Sequence, residues 1–278
     1  MADLDPWLPL ARWTNELAGQ WQGRPLPLVD AVGQLLGGFG EAVQAGLVAT
    51  PPPVSVLAFA ALGWWRRGWR LGLTCGAALA AIHGMGFGEP LMVTLAQVIT
   101  ATILTLLAGL PLGIWLGTRP RAAAAMRPLL DLMQTLPPFV YLIPAAMLFG
   151  LGTVPALLAT VVFSLPPVVR LTAMGIRQVG RDVVEAASML GATRRQVLLR
   201  VKLPGALPAI MTGVSQTIMM ALSMVIIASM VGAGGLGNEV LSAIQRLDIG
   251  QGAASGLCVV LLAIVVDRLT ESFAPALR

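Results

Sequence analysis

The stretch Glu185-Ala186-Ala187-Ser188-Met189-Leu190-Gly191, followed ten residues after the glycine by Val201-Lys202-Leu203-Pro204, is a charged island in an apolar chain. Arg177, Arg181, Arg194, Arg195, Arg200 and Lys202 crowd into it beside Asp182 and Glu185. Asp182-Val183-Val184-Glu185 has the form of a capping box, with Asp at the N-cap and Glu at N3. The spacing predicts a short helix over 183–190 that Gly191 ends as a left-handed residue. Thr193-Arg194-Arg195-Gln196 repeats the box. Its helix is expected to run toward Leu203 and stop before Pro204, because a residue preceding proline avoids the α conformation. Val183, Val184, Ala187 and Leu190 form one apolar stripe, and Val197, Leu198 and Val201 another, suited to pack the two helices together. Ala186 and Ala187 leave little bulk near the turn, where another protein could approach. Caps, a turn and topology-setting arginines would also account for these residues, so the island alone leaves docking and purely structural roles both open.

Outside the island the chain is built for lipid. Of 278 residues, 56% are hydrophobic and 11% charged, against about a quarter charged in ordinary soluble domains. Apolar runs of roughly 18 residues or more recur, each long enough to cross a bilayer as a helix. The fold class is therefore all-α, a polytopic helical membrane protein. The net charge of +5 reads as cytoplasmic loops rather than a nucleic-acid surface. Cys75 and Cys258 fall in apolar segments expected near opposite membrane faces, so no disulfide is expected. His83 is the single histidine, which excludes a histidine-based metal cluster. The acidic start Met1-Ala2-Asp3-Leu4-Asp5 is not the basic start of a cleavable signal peptide.

Residues 1–50 are expected to be an amphipathic, extracytoplasmic or interfacial segment. Asp5-Pro6 is a helix start, and Trp7, Leu10, Trp13, Leu17 and Trp21 recur at helical spacing, as in a helix lying in the interface. A second stripe, Val29, Val32, Leu36, Phe39, Val43 and Leu47, opposes Asp30, Gln34, Glu41 and Gln44, predicting a helix along the membrane surface. The membrane-spanning domain covers 51–278. Seven spans are expected, near 54–65, 71–88, 91–117, 130–150, 154–171, 205–231 and 252–268, with the fourth interrupted by Pro137-Pro138 and Pro144. A Gly-rich segment with a short helix occupies 232–251. Thr135-Leu136-Pro137-Pro138-Phe139-Val140 is echoed by Ser164-Leu165-Pro166-Pro167-Val168-Val169, too short an echo to establish a repeat.

Orientation follows from the basic residues. Placing 66–70, 119–127, 170–204 and the C-terminus on one side gathers fifteen of the eighteen Lys and Arg there, leaving Arg12, Arg24 and Arg246 opposite. The C-terminus is then cytoplasmic, the N-terminus outside, and the island a cytoplasmic hairpin over about 177–204.

The one lysine, Lys202, precedes leucine, so no Gly-Lys-Ser/Thr phosphate loop exists. ATP would have to be hydrolysed elsewhere, and the chain is not expected to be an enzyme. Ionisable residues are nearly absent from mid-span, which argues against a proton- or sodium-coupled carrier, although carbonyls at broken helices can also bind ions. A stand-alone carrier or channel is the alternative.

Glu-Ala-Ala, three residues, Gly, nine residues, a β-branched aliphatic, any residue and Leu-Pro resemble the EAA signature of binding-protein-dependent ABC importer permeases. Val201 stands where isoleucine is usual. Asp131-Leu132-Met133-Gln134-Thr135, Pro138-Phe139-Val140-Tyr141-Leu142, Ala221-Leu222-Ser223-Met224-Val225, Gly234-Gly235-Leu236-Gly237 and Arg246-Leu247-Asp248 look like the glycine betaine/proline betaine (osmoprotectant) branch, over roughly 50–270. The resemblance implies a type I importer fold in the bacterial cytoplasmic (inner) membrane. It further implies a homodimer, two cytoplasmic ABC ATPase subunits carrying the ATP-Mg, and a periplasmic or extracellular solute-binding protein. Glu185, Ala186, Ala187 and Gly191, with Arg194, Arg195 and Pro204, would then meet the ATPase. A betaine-like quaternary amine is the implied solute, with choline, carnitine and other small solutes open.

For such a cation, which aromatic faces attract, Tyr141, Phe139 and Trp115 are candidate path residues, and so are Met219, Met220, Ser223 and Met224. Helix packing is the alternative for each. His83 and Glu89 read as interfacial anchors or substrate contacts. Gly235, Glu239, Arg246 and Asp248 mark the outer surface on which a binding protein would dock, unless the segment is an ordinary solvated turn and helix.

Overall fold

The computed structural model describes residues 27–273. The Trp7–Trp21 stripe lies outside the described residues. The chain from Pro27 is a succession of helices: α1 (Pro27–Val48), α2 (Pro52–Arg67), α3 (Trp69–Gly84), α4 (Gly88–Thr118), α5 (Pro120–Thr135), α6 (Pro138–Phe149), α7 (Thr153–Gln178), α8 (Arg181–Met189), α9 (Arg194–Val197), α10 (Leu203–Ala228), α11 (Leu236–Arg246) and α12 (Ile249–Phe273).

Among the described residues, four helices are long and apolar enough to cross a membrane: α4, α7, the continuous run Arg194–Val231 and α12. Counting the bent pairs α1–α2 and α5–α6 as one span each raises the number to six. Expected spans one and two are α2 and α3, each of 16 residues, or about 24 Å at 1.5 Å per residue. They form a tight hairpin through small residues, which let membrane helices approach closely. A Cβ on Gly72 would lie 2.7 Å from the Ala60 carbonyl.

The centre is α4 against α7. Gly109, Gly113 and Gly117 recur every fourth residue on α4, and Val168, Thr172 and Ile176 do so on α7. Each α7 side chain fills the space over one glycine, and a Cβ on Gly113 would come within 2.7 Å of Thr172 Cβ. On the opposite side α10 closes over α7 through Gly175 and Gly213. Hydroxyls bind this dry contact: Thr105 Oγ1 and Ser164 Oγ lie 3.1 Å apart, and Thr217 donates to the Ser164 carbonyl at 3.1 Å.

Several boundaries differ from expectation. The loop expected at 119–127 is the start of α5, and α7 continues to Gln178 rather than ending at 171. Arg170 is thus within a helix, ion-paired to Asp131 of α5 at 2.5 Å. Cys75 and Cys258 both lie in one large buried cluster and are free thiols. In α1 the packing seam is Gly33, Gly37 and Gly40 against Phe149, Val154 and Leu157, while Val32 turns outward. The glycines let the backbones approach there, while Leu36 of the expected stripe is buried and Leu47 packs on the core.

Candidate functional site

The charged island folds as a hairpin, with two corrections. Helix α8 starts at Arg181 with Gly180 as N-cap and no side-chain cap. Only Val179 and Gly180 separate it from α7, so Asp182 falls at N2 rather than at the N-cap. There its carboxylate still favours the positive helix end. At the other end, Gly191 adopts φ +80°. Gly191 N–H donates to Ser188 O at 3.0 Å and Ala192 N–H to Ala187 O at 3.1 Å, the paired bonds of a Schellman turn. Thr193 and Gln196 then form the expected reciprocal capping box.

The second correction concerns Pro204. The chain does not stop before it. Leu198–Lys202 widens into a π-helical turn in which Leu203 N–H bonds Leu198 O, and Pro204 sits at N2 of α10, where its missing N–H is tolerated. The hairpin is therefore continuous with the membrane helix above it.

No residue of α8 is buried. Val184 and Ala187 turn inward, but Val183 faces solvent and Leu190, expected to pack the hairpin, is 90% exposed beside Met189 at 88%. A cleft of about 880 Å³ runs between the hairpin and the ends of α4 and α7. Glu185 lines it among Arg177, Arg181, Arg194, Arg195 and Lys202. Among the described residues none of these six groups is ion-paired. One carboxylate among five cations, next to an exposed apolar tip, offers charge and apolar area together.

The expected path residues scatter. Tyr141 donates to the Met133 carbonyl at 2.7 Å and stacks edge-on with Phe163. Phe139 faces an apolar hollow lined by Leu142, Ile143 and Met147. Met219 and Met220 share a groove with Gln134, Gln216 and Asp267. Ser223 is exposed and bonded to its own helix at Met219 O. Met224 departs from the expectation: it is wholly buried against Leu142, Ala156 and Ala228, because the close approach of α6, α7 and α10 leaves its face no opening. Trp115 carries Arg119 over its ring, and His83 pairs with buried Ser55 at 3.1 Å.

In the segment expected to face outside, Gly235 has φ +80° and stands so close to α4 that a Cβ would meet Thr94 Oγ1 at 2.5 Å. Thr94 Oγ1 accepts from Leu236 N–H at 2.8 Å, and Gln97 donates to Ala233 O at 2.5 Å, so α4 latches the loop. Glu239 accepts from Gln251, and Asp248 caps α12 through Gln251 N–H. Two of the expected docking groups thus also hold the local fold. Sequence reading missed Leu247, which takes the left-handed conformation, φ 53°, at 86% exposure, with Ile249 at 88%. A left-handed leucine is strained, and nothing in Arg246-Leu247-Asp248 signals it. The Asp248/Gln251 cap, by contrast, has a legible N-cap spacing.

Residues 109–278 match the family of binding-protein-dependent transport system inner membrane components. The chain belongs to this family. It is 46% identical, over 97% of its length and 77% of the relative's, to the glycine betaine/proline betaine transport system permease protein ProW of Escherichia coli K12. The glycine betaine transport system permease protein OpuAB of Bacillus subtilis 168 is 42% identical over 87% of this chain and 86% of its own. The glycine betaine/carnitine transport permease protein GbuB of Listeria monocytogenes is 40% identical over 96% of each. Among solved structures, an inward-facing MetNI methionine ABC transporter superposes with a TM-score of 0.60, covering 67% of this chain and 93% of that one at 21% identity. This likeness shows a shared permease fold.

Proposed function

We propose that this chain is the membrane subunit of an ATP-driven importer that passes a betaine-like quaternary amine across the bacterial inner membrane. A separate pair of ATPase subunits supplies the energy, a binding protein delivers the solute outside, and two copies of the chain form the passage. The C-terminus and the 181–204 hairpin face the cytoplasm, as the distribution of arginine favours. The observation that carries the reading is the hairpin itself. Its turn is closed by Gly191 and the Thr193/Gln196 box, it buries no residue of α8, and it presents Met189, Leu190 and the cleft around Glu185 to a partner. Its continuity with α10 gives a rigid element by which partner motion reaches the spans. The excess of cations predicts acidic residues on the partner face. The glycine betaine permeases named above favour betaine over choline.

The test is co-purification of the chain with its ATPase. Glu185→Lys and Gly191→Leu are expected to lose the ATPase or its stimulation by loaded binding protein, while the permease remains folded. Full assembly and stimulation in both variants would contradict the coupling role.

A further inference from the structure

At the end of the molecule where α2, α3 and α12 meet, a groove of about 340 Å³ is lined by Arg67, Arg70 and Arg268 over Leu71 and Ile264, with Thr74 beside them. Glu271 lies 3.8 Å from Arg67 and 3.4 Å from Arg268. One carboxylate against three guanidiniums leaves the groove positive. Among the described residues Arg70 makes no ion pair; its guanidinium lies 5.6 Å from the Trp69 ring.

The groove does not end in water. Leu257, Val260, Ile264 and Arg268 follow one another at spacings of three and four along α12, so they lie in line on one face, and all four are exposed. The eleven helical steps from Leu257 to Arg268 make that strip about 16 Å long. Trp64, Trp65 and Trp69 are exposed beside the arginines, the placement that aromatic side chains take at a membrane–water boundary.

A cationic head on a straight apolar strip, flanked by a tryptophan belt, has the chemistry of a phospholipid site. Basic pockets between membrane helices bind anionic headgroups, and guanidinium forks fit phosphate oxygens in pairs. We infer that this groove holds an anionic phospholipid, its phosphate between Arg70 and Arg268 and an acyl chain along Ile264, Val260 and Leu257. A free phosphate would gain nothing from the strip. The site is independent of which solute the protein carries.

The test uses the full complex in nanodiscs of phosphatidylcholine with a minority of phosphatidylglycerol, counting retained lipids by native mass spectrometry. Wild type is expected to keep phosphatidylglycerol preferentially. Arg70→Gln/Arg268→Gln is expected to bind it roughly ten- to thirtyfold more weakly, from about one guanidinium contribution each. Arg70→Lys/Arg268→Lys, which keeps the charge, should fall between and serves if the Gln variant does not fold. Millimolar glycerol 3-phosphate should not displace the lipid. Equal phosphatidylglycerol retention in the variants, no preference over phosphatidylcholine, or displacement by glycerol 3-phosphate would each overturn the lipid site. So would shielding of a cysteine placed at position 70 by the ATPase subunit alone in lipid-free detergent. Solute uptake is not read, so failure here leaves the importer reading untouched.

Discussion

Thr135-Leu136-Pro137-Pro138-Phe139-Val140 and Ser164-Leu165-Pro166-Pro167-Val168-Val169 share a pattern, yet the first ends a helix and the second lies inside one. At the first, Leu136 and Pro137 are extended and the chain turns through 93° between α5 and α6. At the second, α7 runs unbroken from Thr153 to Gln178. A proline removes one N–H and crowds the carbonyl four residues back, so both sites carry the same local cost. Their surroundings differ. Pro166 and Pro167 are buried, enclosed by the glycine faces of α4 and α10, and Thr105 and Thr217 supply hydroxyls to Ser164. Pro137 is exposed. The Met133 carbonyl, which Pro137 cannot serve, is taken by Tyr141 from beyond the bend. Close packing on both sides holds the proline helix α7 straight; exposure lets the other break.

Breaking the enclosure should have the largest effect. Gly113→Leu places a branched side chain where even a Cβ lies 2.7 Å from Thr172 Cβ and 3.0 Å from Val169 O. It is expected to destabilise by about 3 kcal/mol, seen as a large fall in apparent melting temperature in detergent. A variant melting like wild type would mean that α4 does not hold α7 straight. Thr217→Val removes one hydroxyl from the seam while keeping shape, and should cost about 1 kcal/mol, with spin labels on either side of Pro166 reporting a bend. Tyr141→Phe should cost least, about 0.6 kcal/mol. It should widen the distribution of α5–α6 angles without moving α7, which a label pair across Pro137 would measure.

That contrast also explains what could be read in advance. The Gly191 turn and the Thr193/Gln196 box are local devices, written in adjacent residues, and both form as the sequence predicts. The apolar spans are legible for the same reason. Asp182 misses its cap because α7 overruns the expected end, and α7 overruns because packing on α4 and α10 sustains it past 171. Pro204 fails to stop its helix because a π turn absorbs it. The Gly109, Gly113, Gly117 stripe escaped the sequence reading, because its partner, Val168, Thr172 and Ile176, becomes meaningful only once α4 lies on α7. Met224 looked like a path residue because its burial depends on three helices meeting. Phe139 is exposed and Met219 and Met220 are half-buried in an open groove; under the proposed homodimer, a second copy would be the partner that completes a passage there.

The proposal that the chain conducts solute only when driven through its hairpin is tested most directly by uptake in proteoliposomes. Radiolabelled glycine betaine should enter only when the chain, its ATPase, ATP and the loaded binding protein are all present, and Gly191→Leu should abolish that uptake. Entry of betaine through the chain alone, down a gradient and without ATP or ATPase, would contradict the account.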